Sequence, residues 1–413
     1  MAQIPRETGL DKTAALLSEG YRFIPERCRR HHSDIFETRL MLRKAVCISG
    51  PEAAEVFYHP DRFTRKGAMP PTALKLLQDK GSVQQLSGDA HRHRKHMFMS
   101  LMTEANRERL LELFEQEWRA SLAKWQSMEE VVLHYAVQGI LCRAICRWSG
   151  IPLTESEAQR RTREFGAMID GAGSVGPRNW QGMALRARTE RWARELIEEE
   201  RRAAQPAPED TALHRIARYR NRDGTLFDVN TAAVELVNIL RPTVAVARFI
   251  TFAALALHDY PEWRGKLGGG DERERFVQEV RRFYPFFPLI GGRVQQTFEW
   301  RGYHFDEGTW VVLDIYGTDH DARAWNDPEV FRPDRFRGGN QSPYNLIPQG
   351  AGDYYKDHRC PGEWITIDLM KAAVRLLTTA MRYDVPKQDL SVDLSRLPAI
   401  PASRFIIKNV QPL

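Results

Sequence analysis

One cysteine in this chain sits in surroundings that an inert thiol does not need. Cys360 follows His358-Arg359 and precedes Pro361-Gly362, at the end of a glycine-containing loop that starts near Ile347. Beyond it Ile365, Leu369, Ala372, Ala373 and Leu376 recur at three- and four-residue steps, which predicts one buried helical face. Pro361 suits the first turn of that helix, because a missing N–H costs nothing there. A thiol just before a helix N-terminus, beside Arg359 and His358, is predicted to have a lowered pKa. Two chemistries stay open for it: a nucleophilic thiolate and an iron-ligating one. A nucleophile needs a base, and His358 is a candidate only by adjacency.

A second feature is a charge in an apolar run. Asn230 to His258 is the longest apolar segment, roughly 29 residues or about 43 Å as a helix. It is apolar nearly all round, so it reads as a helix buried in protein. Glu235, Asn238, Arg241 and Arg248 argue against a membrane span. Pro242 removes the bond to the Asn238 carbonyl and predicts a kink. Arg241 beside it must be paired, either by a structural acid from elsewhere or by an anionic ligand. Glu235, six positions earlier, points to a different face. A third feature is the basic run His91-Arg92-His93-Arg94-Lys95, in which His91 and Lys95 share a helix face.

The elements around these residues are legible in outline. Residues 10–24 read as a short amphipathic helix, and Phe36 to Ile48 alternates as half-buried strands do. Phe298 to Asp314 reads as paired strands with turns at Arg301-Gly302 and Glu307-Gly308. Glu104 to Trp148 is helical in pattern. Phe165, Met168 and Ile169 precede a break at Gly171 to Pro177, and Glu279 and Arg282 are spaced to share a helix face. Composition is that of a globular protein, 413 residues with 42% hydrophobic. The charge is +6, but 60 basic residues are interspersed with 54 acidic ones, so no nucleic-acid partner is expected. Five cysteines make no disulfide framework, and the N-terminus lacks a signal peptide's apolar run, so a cytoplasmic location is expected.

Gly350 or Gly352, the Arg359-Cys360 pair and Gly362 resemble the haem-ligand loop of the cytochrome P-450 superfamily, Phe-x-x-Gly-x-Arg-x-Cys-x-Gly. Ile347 or Pro348 stands at the phenylalanine position, and extra residues separate the glycines from the cysteine. Glu279-x-x-Arg282 and the Pro333-Asp334-Arg335-Phe336 segment resemble two further superfamily motifs. The resemblance implies a mainly α fold in one domain, residues 1–413, helix-rich with a smaller β-rich region. Haem b would lie between the long central helix and the cysteine loop, with Cys360 as the iron ligand. His91, Lys95, Arg65 and Arg293 would meet its propionates, and Glu279, Arg282 and Arg335 would form a buried triad. The helices flanking Gly171 to Pro177 would form a substrate lid.

Most P-450 monooxygenases carry an acid–alcohol pair at the middle of the long helix, where this chain has Asn238-Ile239-Leu240-Arg241-Pro242-Thr243. That arrangement resembles the fatty-acid peroxygenase branch, as do Val83-Gln84, Phe276 to Pro285 and His358 to Gly362. The resemblance implies long-chain fatty acid as substrate, hydrogen peroxide as oxidant and no obligatory reductase. Arg241, next to Pro242, would hold the substrate carboxylate bidentately, and that carboxylate would act as general acid–base. Oxidation would fall on the α and β carbons. The tail would lie among Leu76, Leu77, Phe286, Phe287, Phe165, Met168 and Ile169. In this branch histidine at the Gln84 position goes with decarboxylation and glutamine with hydroxylation. The alternatives are a decarboxylase forming terminal alkenes, a reductase-dependent monooxygenase, a hydroperoxide-rearranging P-450, and a non-catalytic haem sensor or carrier.

Overall fold

A 31-residue helix, Val229–Asp259, runs through the centre of the protein. The computed structural model describes residues 3–339 and 342–413. Asp228 caps this helix by accepting the Thr231 N–H at 3.0 Å. Almost every residue from Ala232 to Leu257 is buried, because apolar side chains on all faces demand cover all round. By length and composition the helix is apolar enough to cross a membrane, yet 89% of its most apolar window is buried inside the protein. It continues as one helix through Pro242, so the expected kink interrupts nothing. Around it pack Leu133–Trp148, Glu155–Gly171, Pro177–Arg202 and the post-cysteine helix Glu363–Thr379.

The β-rich part is a five-stranded sheet. Ile35–Leu40 pairs antiparallel with Arg43–Ser49, which runs parallel to Trp310–Asp314. Leu289–Val294 follows antiparallel, and the two-residue strand Phe63–Thr64 closes the edge. Phe298–Trp300 and Tyr303–Phe305 form the expected hairpin, with Arg301 and Gly302 at positive φ in its turn. The run read as one helical stretch from Glu104 to Trp148 is two helices, Glu104–Trp125 and Leu133–Trp148, separated by a turn and the short strand Val131–Val132.

The Glu279 carboxylate receives both Nε and Nη2 of Arg282 at 2.8 Å. Arg335 Nε adds a third bond at 3.1 Å, and the Arg332 backbone N–H a fourth at 2.7 Å. Glu279 and Arg282 are fully buried, so four donors on one carboxylate replace the water it loses. These bonds join the helix Gly270–Phe283 to the Pro333–Phe336 turn that leads towards the cysteine loop. Replacing Glu279 with Ala leaves two guanidinium groups uncompensated. The expected loss is about 3–5 kcal/mol of stability, read as a shift in the urea midpoint at unchanged m-value.

Candidate active site

The cysteine loop faces the middle of the central helix across a cavity of about 270 Å³. Cys360 reaches that cavity from a turn just before the helix Glu363–Thr379, whose N-cap is Gly362. Pro361 therefore precedes the helix by two residues and does not open its first turn. Gly350 and Gly352 take φ of 92° and 86°, conformations that L side chains rarely adopt. A Cβ on Gly350 would also lie 3.0 Å from the His358 carbonyl, so the loop closes only with glycine there. The inserted residues fold onto themselves: Asp353 N–H donates to Asp357 at 2.7 Å, and Asp353 in turn accepts from the Tyr355 and Lys356 N–H groups.

The expected lowering of the thiol pKa is not what the fold produces. Burial raises it, against the lowering effect of the Gly362 N–H, and the Glu363 carboxylate adds to the rise. The neighbours expected to stabilise a thiolate are turned elsewhere. Arg359 donates to Glu363 at 2.5 Å, and the His358 ring lies 3.9 Å from that of His91. Glu363 also accepts from Arg281 at 2.6 Å, and Arg281 reaches Gln349 at 3.1 Å. The two arginines hold the Glu363 carboxyl below its usual range despite burial. Sequence reasoning missed this support; only the four-residue step from Arg359 to Glu363 could have signalled it.

On the opposite wall, Arg241 is buried and makes one hydrogen bond, from Nη2 to the Leu77 carbonyl. Its Nε has no partner, and among the described residues no carboxylate lies within ion-pair distance. Burial, and then the positive charge of Arg186, push its pKa down to about 9. A guanidinium does not lose its proton in proteins, so that shift measures an uncompensated cation. Glu235 is indeed not the partner: it accepts from the Val83 N–H at 2.8 Å, Asn238 at 3.1 Å and Arg94 at 3.1 Å. Pro242 and Gln84 line the same cavity, and the buried Gln84 Oε1 has no hydrogen-bond partner.

A second, mostly apolar cavity of about 220 Å³ shares Met69, Leu77, Arg241, Phe286, Phe287 and Leu289 with the first. Phe286 stacks on Phe249 at 4.1 Å and meets Phe287 edge-on at 4.9 Å. Leu77, Phe286 and Phe287 thus lie where an apolar tail would run. Of the three expected lid residues only Ile169 lines a cavity. Phe165 and Met168 are fully buried in the helical core, and the tip Ala172 to Val175 reaches the cavity in their place. Leu76 is likewise core, wedged against Gly171 and Gly182.

The four residues expected at the haem edge divide. His91 and Lys95 line the main cavity. Lys95 donates to the carbonyls of Asp357 and Arg359, the latter at 2.9 Å, and burial lowers its pKa to about 8. Two of its three N–H bonds are engaged by the loop, and the third is free for a propionate, which we propose it meets. Arg65 and His91 line a small adjoining cavity with His358. Arg65 is buried, its Nε has no partner, and no acid faces it among the described residues; burial lowers its pKa to about 10. Gly292 makes room for it, since a Cβ there would lie 2.8 Å from Arg65 Nη1. Arg293 is a correction: it lines none of these cavities and donates instead to the carbonyls of Gly67 and Gly308, each at 3.0 Å. Alternation along Leu289–Val294 sends neighbours to opposite faces, so Gly292 faces Arg65 while Arg293 turns away.

One thiol donor opposite a long helix, an apolar gap, and buried unpaired cations at its edge fit an iron macrocycle carrying carboxylates. Among the described residues there is no cluster of three His, Cys, Asp or Glu that could hold a bare metal ion. The arrangement is that of a haem-thiolate protein. The chain belongs to the cytochrome P450 family, whose members bind haem b. The family model, "Cytochrome P450", matches residues 274–396. A solved structure of cytochrome P450SP alpha in complex with (R)-ibuprofen is 49% identical, covering 98% of this chain and 99% of that one at a TM-score of 0.95. Cytochrome P450EX alpha with myristic acid is 42% identical over the whole of both chains, TM-score 0.96. A variant of cytochrome P450 OleT in complex with arachidonic acid is 36% identical over 100% and 99%, TM-score 0.97. Among curated proteins, flavonoid-6-hydroxylase of Mentha piperita is 29% identical over 34% of this chain and 28% of its own length. Cytochrome P450 4A11 of Homo sapiens is 31% identical over 32% and 24%. The matched segment thus spans about a quarter of the length of these curated relatives.

We propose that Arg65 meets a haem propionate, and replacing it with Leu removes this buried cation. Haem retention, read as Soret absorbance per protein after gel filtration, is expected to fall roughly tenfold in affinity. Arg293→Leu is expected to leave it unchanged.

Proposed function

We propose that this protein is a peroxygenase that uses hydrogen peroxide to hydroxylate long-chain fatty acids at the α or β carbon, with no obligatory reductase. The observation that carries this reading is Arg241, a buried guanidinium without an acid partner among the described residues, opening on both the thiol cavity and the apolar one. Fatty acids are the molecules named in the structures of P450EX alpha and OleT, which supports the same substrate class here. A reductase-dependent monooxygenase would need an acid–alcohol pair on the central helix, where this chain has Arg241 and Pro242. A haem sensor or carrier would leave the unpaired Arg241 without a purpose. The reading includes a cytoplasmic location, supported by five cysteines that are all free.

When bound through Cys360, the haem supplies the oxygen-transfer chemistry, drawing its oxidant from hydrogen peroxide. The protein's contribution is placement. Arg241 offers Nε and its remaining Nη donors to a carboxylate in a dry cavity, where a charge-assisted pair is strong. The carboxylate is then placed to accept and return a proton beside the reacting oxygens, a task that Arg241 and Gln84 do not perform. With the head group held there, the α and β carbons are the C–H positions next to it, and the tail lies along Leu77, Phe286 and Phe287. Cys360 is held by its N–H to the Gln349 carbonyl at 2.9 Å.

Arg241→Ala is expected to lower peroxide-driven turnover of a saturated long-chain acid by at least about a hundredfold, with the haem spectrum intact. Near-wild-type turnover in that variant would overturn the clamp. The product is expected to be mainly 2- and 3-hydroxy acid, because Gln84 is neutral at all working pH values and offers no proton as an imidazole does. Gas chromatography of extract and headspace reads the ratio, and Gln84→His is expected to raise the alkene fraction. A majority of the one-carbon-shorter alkene from the wild type would instead mark a decarboxylase.

A further inference from the structure

The stretch that carries Gln84, between the helices Pro71–Leu77 and Gly88–Leu101, has little shape of its own. Its one regular piece is the single turn Val83–Gln85. Asp79 and Gly81 take φ of 71° and 76°, which for Asp79 is a conformation that needs support from outside. Contacts with other elements supply that support. Beyond the Arg241 bond to the Leu77 carbonyl, three of them converge on Glu235. The Val83 N–H donates to Glu235 Oε1 directly, at 2.8 Å. Arg94 Nη1 donates to the same oxygen at 3.1 Å and to the Gly81 carbonyl at 2.6 Å. Asn238 Nδ2 donates to Glu235 Oε2 at 3.1 Å and to the Gln78 carbonyl at 3.2 Å. One carboxylate thus grips the stretch at positions 78, 81 and 83.

Glu235 is fully buried and lines neither of the two cavities. Burying a full carboxylate is costly, and a neutral acceptor would satisfy one N–H as well. What the charge adds is a single strong acceptor for donors from the turn, from the helix Gly88–Leu101 and from the central helix itself. The residue next to Val83 is Gln84, which lines the thiol cavity. Its buried Oε1 has no partner among the described residues, so the backbone on either side sets its place. On one side Val83 hangs on Glu235; on the other the Gln85 N–H closes onto the Ser82 carbonyl at 2.9 Å.

We infer that Glu235 is a positioning residue for the oxidation: through Val83 and Arg94 it holds Gln84 against the head-group end of the substrate, and so sets which carbon is oxidised. The inference rests on the fatty-acid reading of the cavity. With the carboxylate fixed on Arg241, the wall beside it decides whether the α or the β C–H stands nearest the reacting oxygen. A wall that moves loses that choice, although the carboxylate is still held.

The test uses the haem-loaded full-length protein and the double variant Glu235→Leu/Arg94→Leu, which removes the acceptor without leaving a buried charge unpaired. Amide hydrogen exchange in peptides covering Gln78 to Gln85 is expected to quicken at least about tenfold. With peroxide and a saturated long-chain acid, the ratio of 2- to 3-hydroxy product is expected to shift at least about threefold, while KM changes by less than about threefold. In a Gln84→Ala background the same two substitutions are expected to move the ratio by less than about 1.5-fold, because they act through Gln84. Should the double variant lose haem, Glu235→Gln weakens the same bonds, and the same changes are expected from it at smaller size. Faster exchange with an unchanged product ratio makes Glu235 a support of the fold alone and overturns the inference. So does unchanged exchange, or a ratio shift that persists without Gln84. Absence of any product from wild type strikes the fatty-acid reading, and this role with it; normal turnover at an unchanged ratio strikes this role alone.

Discussion

A guanidinium in an apolar interior is the constraint on which this protein depends. Taking a charge out of water costs several kcal/mol unless something nearby compensates it. Arg241 has one carbonyl, that of Leu77, and an unpartnered Nε. The nearest acid on its own helix, Glu235, is occupied by Arg94, Asn238 and the Val83 amide. Arg186, fully buried and bound to Glu190 at 2.7 Å, adds positive potential at Arg241. The fold withholds the acids that would quench Arg241 and encloses it among apolar side chains. The charge imbalance is one that an anionic head group corrects.

Holding such a residue in place requires a rigid frame. The central helix supplies it: nearly all of it is buried against its neighbours, and it continues unbroken through Pro242. On the facing wall the frame is polar. Lys95 ties the carbonyls of Asp357 and Arg359, and Glu363 is gripped from two sides by Arg359 and Arg281. These contacts hold the lengthened loop by its backbone and leave Cys360 facing the cavity. They also explain why the thiol is not acidified as its neighbours in the chain would imply. Burial outweighs the lowering effect of the Gly362 N–H and of Lys95, and the Glu363 carboxylate that Arg359 and Arg281 grip adds to the rise.

Much of the site was legible because it depends on local spacing. A helix that is apolar all round, an arginine and proline at its middle, a cysteine before a helix, and Glu279 three residues from Arg282 are one-dimensional patterns with direct consequences. The pairing of Arg335 with Glu279 and the place of Gln84 were implied by the family resemblance, and Phe286 and Phe287 by their apolar character; the last three line the cavity.

What the sequence did not contain was direction. Arg65 and Arg293 were both expected at the propionates through the resemblance, and the pleat of Leu289–Val294 turned Arg293 away onto the Gly67 and Gly308 carbonyls. Phe165 and Met168 carry the right chemistry for a substrate wall, but the packing of Glu155–Gly171 turned that face into the core and gave the wall to the loop that follows. The partners of Lys95 lie 262 and 264 residues away along the chain. Residue type and local period set which elements form and which face of each is apolar. Which side chain reaches which cavity depends on how those elements rotate and pack against partners hundreds of residues distant, and only the assembled tertiary structure determines that rotation.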